Sequence, residues 1–204
     1  MRLKSVLAAA LVLLAVPALA EGPAVPPTPT IVRGTVEKLD GQTLVVNARD
    51  GQQVSIALVP NFTVAAVVKK TPADIKEGAY VAATSVTAED GRRHALEVHI
   101  FPEPMRGLNE GEKPWDLAPN SVMTNATVTG ITSAPRGEVI KVGYKGGETE
   151  IVVEPGTPVV TFAPGDANLL QHGVAVFAIA MKRPDGSLVA NSVTAEKAGV
   201  KPPM

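Results

Sequence analysis

The sequence predicts an all-β fold laid down twice, as two tandem small barrels, and three observations carry that reading. First, the chain nearly repeats itself: Val32-Arg33-Gly34-Thr35-Val36 aligns with Val128-Thr129-Gly130-Ile131-Thr132. The register then runs through Gly51 and Gly147, Pro60 and Pro155, Gly78 and Gly173, Asp90-Gly91 and Asp185-Gly186, Ala95 and Ala190, and Val98 and Val193. It drifts by one residue, which a single deletion in the second copy explains. Second, Leu44, Val46 and Ala48, like Val54, Ile56 and Leu58, alternate with polar or smaller neighbours, the period of a sheet with one buried face. Third, Val and Ala dominate the apolar residues while aromatics are only 3% of the chain, which suits thin β layers with small interior side chains.

The elements follow in order. Arg2 and Lys4 precede an apolar run from Val6 to Val16, and Ala18-Leu19-Ala20 offers small residues for cleavage before Glu21, so residues 1–20 read as a signal peptide. The run is too short to span a bilayer, and no other segment reaches that length, so the mature chain is expected to carry no membrane span. The expected location is periplasmic or secreted. With no cysteine there is no lipobox thiol to acylate and no disulfide to form. Residues 21–30 carry Pro23, Pro26, Pro27 and Pro29 and read as an extended or disordered leader that cannot join a sheet interior.

The first unit, residues 31–101, divides into strands Ile31–Leu39, Gln42–Ala48, Gln52–Leu58, Thr63–Val67, Tyr80–Ala88 and Arg93–Phe101. Asp40-Gly41, Asp50-Gly51, Pro60-Asn61 and Asp90-Gly91 punctuate them, because Asp-Gly closes hairpins and Pro interrupts strands. Thr71–Lys76 alone looks helical, with Thr71 a candidate N-cap, Pro72 at the first position and Asp74 in the first turn. Five or six strands with one helical turn before the last pair describe a Greek-key barrel of the OB type. The second unit, residues 126–196, repeats the order: a hairpin around Lys145-Gly146-Gly147, a turn at Asp166–Leu170, then strands Val174–Met181 and Leu188–Ala195. Residues 197–204 form a tail. Between the units, residues 102–125 make a long Pro/Gly-rich linker with the only tryptophan, Trp115. It is expected to strap the seam between the barrels, with Phe101, Met105, Leu108, Trp115 and Leu117 as apolar anchors, the alternative being a binding loop.

Val-x-Gly-x-Val (Val32, Gly34, Val36), the turn Asp74–Gly78 before a long strand, and Asp90-Gly91 followed by Ala95 and Val98 resemble an uncharacterised family of exported bacterial OB-like domains. The resemblance covers both copies. It implies the fold and an exported location, and it brings no catalytic residue. The second copy departs from the pattern at Asn168-Leu169-Leu170-Gln171-His172.

Chemistry is sparse. There is no cysteine nucleophile and no Gly-x-Ser-x-Gly elbow, and Gly143-Tyr144-Lys145-Gly146-Gly147 lacks the Lys-Ser/Thr end of a phosphate loop, so no catalytic residue is expected. Lys69-Lys70 and Arg92-Arg93 sit beside acids, which leaves no basic groove for nucleic acid. In a regular strand His94 and His99 face opposite sides, whereas Glu97 and His99 share a side. Those two are the candidate ligands for a divalent transition metal, with Glu103, Glu110 or Glu112 as a third donor; otherwise they form a solvated pair. No other cofactor is expected. In the linker, Arg106 and Trp115 are the candidate ligand-binding residues. Together these readings point to an exported, non-enzymatic binding or interaction module whose partner is a protein or small ligand of the periplasm. The alternative is a metal- or small-ligand-handling protein using the first barrel and the linker.

Overall fold

The structure, a computed structural model, describes residues 26–202. The expected signal peptide lies outside the described residues. The strands are β1 Thr28–Asp40, β2 Thr43–Ala48, β3 Gln53–Lys70, β4 Tyr80–Thr87, β5 Arg93–Ile100 and β6 Gly111–Pro114. They continue as β7 Val122–Ala134, β8 Gly137–Tyr144, β9 Gly147–Val153, β10 Val159–Gly165, β11 Ala175–Lys182 and β12 Leu188–Ala195. The all-β class and the hairpins expected at Asp40-Gly41, Asp90-Gly91, Gly146-Gly147 and Asp185-Gly186 are all present.

Hydrogen bonding closes these strands into two rings. In the first, β1 lies between β11 and β2, β2 pairs with β3, β3 runs parallel to β12, and β12 returns to β11. In the second, β7 lies between β4 and β8, β8 pairs with β9, β9 runs parallel to β5, and β5 returns to β4. Each ring therefore takes three strands from one half of the chain and two from the other. The expected barrels 31–101 and 126–196 do not close on their own: β4 pairs with β5 and β7, and not with β1.

The cause lies in β3. Pro60-Asn61 was expected to end a strand, but the chain continues through it as one element of 18 residues. Residues 59–62 bulge opposite the single residue Asn191, between the pairs Leu58↔Ala190 and Thr63↔Ser192, with Asn61 at φ 61°. The bulge advances β3 by only one position against β12, and the strand runs on past the last β12 pair at Ala66 to Lys70. Its last residues pair with β10 rather than turning back, so the chain is delivered into the second ring before β4 begins. In the second half, Glu154–Pro158 interrupts the corresponding path, and β10 crosses the other way.

The two rings share their strand order, and their registers correspond. Val64 pairs with Val193 where Val159 pairs with Val98. Between the rings β3 and β10 form an antiparallel ribbon with the pair Val67↔Phe162 at its middle. One expected equivalence fails. A bulge follows Val36 in β1 and Val128 in β7, and the pairs Val36↔Val46 and Val128↔Val142 place Val36 on Val128. Gly34 thus corresponds to Ala126, not to Gly130, because the β7–β8 hairpin is four residues longer than β1–β2 (Ile131↔Ile140 against Leu39↔Leu44).

Each ring encloses an apolar core drawn from both halves. One contains Val36, Leu44, Ile56, Val176 and Val193, and the other Val81, Val98, Val128, Ile140 and Ile151. The short turns plug them: Leu170 follows the turn Ala167–Leu169 into the first core, and Ile75 follows Pro72–Asp74 into the second. Thr71 stands at the expected cap position, where its backbone N–H and its hydroxyl both donate to the Asp74 carboxylate at 2.8 Å and the Asp74 N–H donates to Thr71 O at 2.9 Å.

Candidate ligand-binding cleft

Side chains of alternate strand positions that miss the cores point into the seam between the rings. On the second ring Val81, Ala83 and Val98 face the core, so Ala82, Thr84, Glu97 and His99 face the seam, joined by Met123 and Asn125 through the pairs Thr84↔Met123 and Ala82↔Asn125. On the first ring the corresponding face presents Arg33, Phe177, Ile179 and Thr194 through the pairs Arg33↔Phe177, Ile31↔Ile179 and Phe177↔Thr194. Between these faces lies a cavity of about 640 Å³. Ala82, Met123 and Asn125 line one wall and Phe177, Ile179 and Thr194 the other, with Ala65 and Phe162 from the central ribbon below them. The volume is that of a small-molecule pocket.

The linker closes the remaining side. It folds back as β6 on the outer edge of β7, and its tip is shut by Trp115 N–H donating to Ser121 O at 2.8 Å and the Ser121 hydroxyl donating to Trp115 O at 2.9 Å. Arg33 then clamps the tip to the first ring. Its guanidinium donates to both Asp116 oxygens at 2.7 and 2.8 Å and lies over the Trp115 and Phe177 rings at 5.6 and 5.3 Å. The Arg33 hydrogen bonds hold the Asp116 carboxyl below its ordinary range. Tyr80 Oη and Asn125 Nδ2 both donate to Leu108 O, at 3.1 and 3.0 Å. Glu112 accepts from Arg93 and from the Tyr144 hydroxyl. Burial pushes the Glu112 carboxyl up, and those two hydrogen bonds outweigh it, so its pKa falls. Phe101, Met105, Leu108 and Trp115 line the cleft, so the linker is at once the expected strap and a wall of the site.

The candidates named from sequence separate. Trp115 lines the cleft, half-buried between Arg33 and Lys113. Arg106 does not line it: its guanidinium grips Glu103 at 2.6 and 2.8 Å and Gly78 O at 2.9 Å, fixing the linker's start to the turn before β4. Glu97 and His99 do share a face, yet they are not a solvated pair, since both are fully buried. Thr84 donates to Glu97 Oε1 at 2.7 Å, while Glu97 Oε2 and both His99 ring nitrogens have no hydrogen-bond partner. The expected third metal donor does not arrive, because Glu103 is held by Arg106, Glu112 by Arg93 and Tyr144, and Glu110 by the Lys145 N–H. Among the described residues no three His, Cys, Asp or Glu side chains gather to hold an ion. His94 is not on the opposite face: a bulge at Leu96, between Thr84↔Glu97 and Ser85↔Ala95, returns it to the outer side, where it meets Asp90 at 3.0 Å and Glu154 at 3.2 Å. Sequence reasoning missed Arg33, Lys113 and Asn125. The signal for Arg33 was a charged residue in the middle of an apolar strand, Ile31-Val32-Arg33.

No family model matches the chain, and neither a curated protein nor a solved structure matches it. Among the described residues no helix is long and apolar enough to cross a membrane, which leaves membrane-crossing strands unaddressed.

Proposed function

We propose that the chain is an exported, non-enzymatic binding module whose ligand seat is the cleft between the two rings. The observation that carries this is the cavity of about 640 Å³, walled by Phe101, Trp115, Phe162 and Phe177 and edged by a few polar groups such as Asn61, Thr63 and Asn191. An apolar concavity with a small polar complement is what a small ligand requires. The non-enzymatic reading rests on the same wall, whose titratable side chain is Lys113 alone. Acid–base and nucleophilic chemistry need a placed pair of such groups. On this reading the rings descend from two OB-like copies that have exchanged their last two strands, the signal peptide places them in the periplasm or outside the cell, and the second copy supplies one wall of the site. The metal-handling alternative has less support, since among the described residues Glu97 and His99 have no third donor.

Trp115 is the only tryptophan, so ligand entry has a built-in reporter. Titration with the neutral fluorophore N-phenyl-1-naphthylamine is expected to quench Trp115 by energy transfer at one site per chain. Ala65→Phe, which fills the floor of the cleft, is expected to abolish that transfer in a protein of unchanged circular dichroism. Probe emission without transfer from Trp115 would place binding elsewhere and reject the cleft.

A further inference from the structure

We infer that the cleft selects a small amphiphilic anion: an apolar, preferably aromatic body bearing one negatively charged group and one N–H or O–H donor. The inference rests on the cleft being the ligand seat and adds the ligand's chemistry. Its first support is charge. Lys113 is the one ionised side chain in the lining, and no carboxylate accompanies it there. The acids of the linker are all engaged by other groups: Glu103 by Arg106, Glu110 by the Lys145 N–H, Glu112 by Arg93 and Tyr144, and Asp116 by Arg33. Lys113 itself lies over the Trp115 ring, its Nζ 5.2 Å from the centroid, and has no ion-pair partner among the described residues. An ammonium held against an aromatic face at the edge of an apolar cavity attracts an anion whose body follows it inside.

The second support is a polar atom left unpaired in the same wall. Asn125 is 5% exposed; its Nδ2 is spent on Leu108 O, and its Oδ1 accepts nothing from the protein. A buried acceptor without a donor forfeits its hydration with nothing in return, and a ligand N–H or O–H delivered into the cleft removes that cost. The body is specified by Trp115, Phe101, Phe162 and Phe177, whose rings offer flat contact to another ring. A free carboxylate, phosphate or inorganic anion lacks that body. A neutral hydrocarbon lacks the partner for Lys113.

The test pairs two probes of nearly one shape. 1-Anilinonaphthalene-8-sulfonate has an aromatic body, an anilino N–H and a sulfonate, and N-phenyl-1-naphthylamine is the same body without the sulfonate. Both are titrated into wild type and Lys113→Met, with energy transfer from Trp115 as the signal and thermal melting as the check on folding. The expected result is a Kd for the sulfonate about tenfold weaker in Lys113→Met, the scale of one charge-assisted contact, with the neutral probe unchanged. Transfer from Trp115 to both probes with equal affinities in both proteins would leave the cleft as a binding site and overturn its preference for anions. Transfer to neither probe would overturn the cleft reading itself. In Asn125→Leu, a loss of affinity for both probes supports the acceptor role, and unchanged affinities remove Asn125 from the site.

Discussion

Arg33 shows how a single buried cation organises the linker. Its side chain is 8% exposed, and Asp116, which accepts from both of its terminal nitrogens, is 55% exposed, so solvent screens one half of the pair. Asp116→Ala strands the guanidinium under Trp115, and the expected loss is about 1–2 kcal/mol after that screening. Thermal denaturation measures it, and an unchanged midpoint would mean that the clamp is not a source of stability. The pH dependence has a definite sign. The folded-state pKa of Asp116 lies below its ordinary value, so the contribution is complete above the ordinary carboxylate range and is lost as pH falls through the lowered value. Trp115 emission should therefore change on acidification below about pH 4, and Asp116→Asn should show the acid spectrum already at neutral pH. Trp115→Ala is expected to cost about 2 kcal/mol, less than for a fully buried tryptophan, because the indole is half-buried. At this scale sequence showed what was local. Strand parity put Glu97 and His99 on one side, yet parity says nothing of what covers a face, and here the Phe162 ring of the central ribbon lies 5.3 Å from the His99 ring. Arg33 stood out locally as a charge in an apolar strand, but its partner was illegible because that carboxylate is 83 residues away.

Most strands were legible, since Asp-Gly turns and period-two alternation are written locally. Two features were not. Pro60-Asn61 reads as a break, but proline can be carried at a bulge, and the strand recovers its pairing at Thr63. The Val-x-Gly-x-Val segment lies on the second half in two frames, one that matches its Val and Gly to Val128 and Gly130 and one that matches only its last Val to Val128, and the pairing selects the second. The correct frame makes a testable contrast between two glycines. A Cβ at Gly34 would stand 2.1 Å from Asn47 O and 2.8 Å from Ala48 Cα, both backbone atoms, whereas at Gly130 the nearest atom is Lys141 Cβ at 3.9 Å. Gly34→Ala is expected to destabilise by about 3 kcal/mol or more, and Gly130→Ala by less than about 1 kcal/mol. Equal effects would revive the frame that matched those two glycines. The plugs offer a second check at this scale. Ile75 and Leu170 are 2% and 3% exposed, so Ile75→Ala and Leu170→Ala should each cost roughly 2–5 kcal/mol.

The exchange of strands between halves is the feature least legible in sequence. A β4–β5 pair offers the same pairing edges whether it completes its own ring or its neighbour's, so local pattern is blind to the choice. What differs is the path of the connection: β3 runs on past its pairing with β12 into the ribbon with β10 before β4 begins. This architecture makes neither half self-sufficient: residues 26–101 hold three strands of one ring and two of the other. That fragment is expected to pair with a second copy of itself or to stay unfolded, as light scattering with circular dichroism would show. A folded monomer would contradict the exchange. It also explains why the cleft sits where it does, at the crossing ribbon, with one wall from each ring and the linker across the opening.

The most direct test reads the pairing itself, by nuclear Overhauser contacts in the isotope-labelled full chain. Gly34 should lie opposite Val176, and Val81 opposite Ala126. If each half closed its own ring, the same registers would instead bring Gly34 against Val81 and Val176 against Ala126. Cross-peaks of the first kind are the predicted result, and cross-peaks of the second kind would contradict the account.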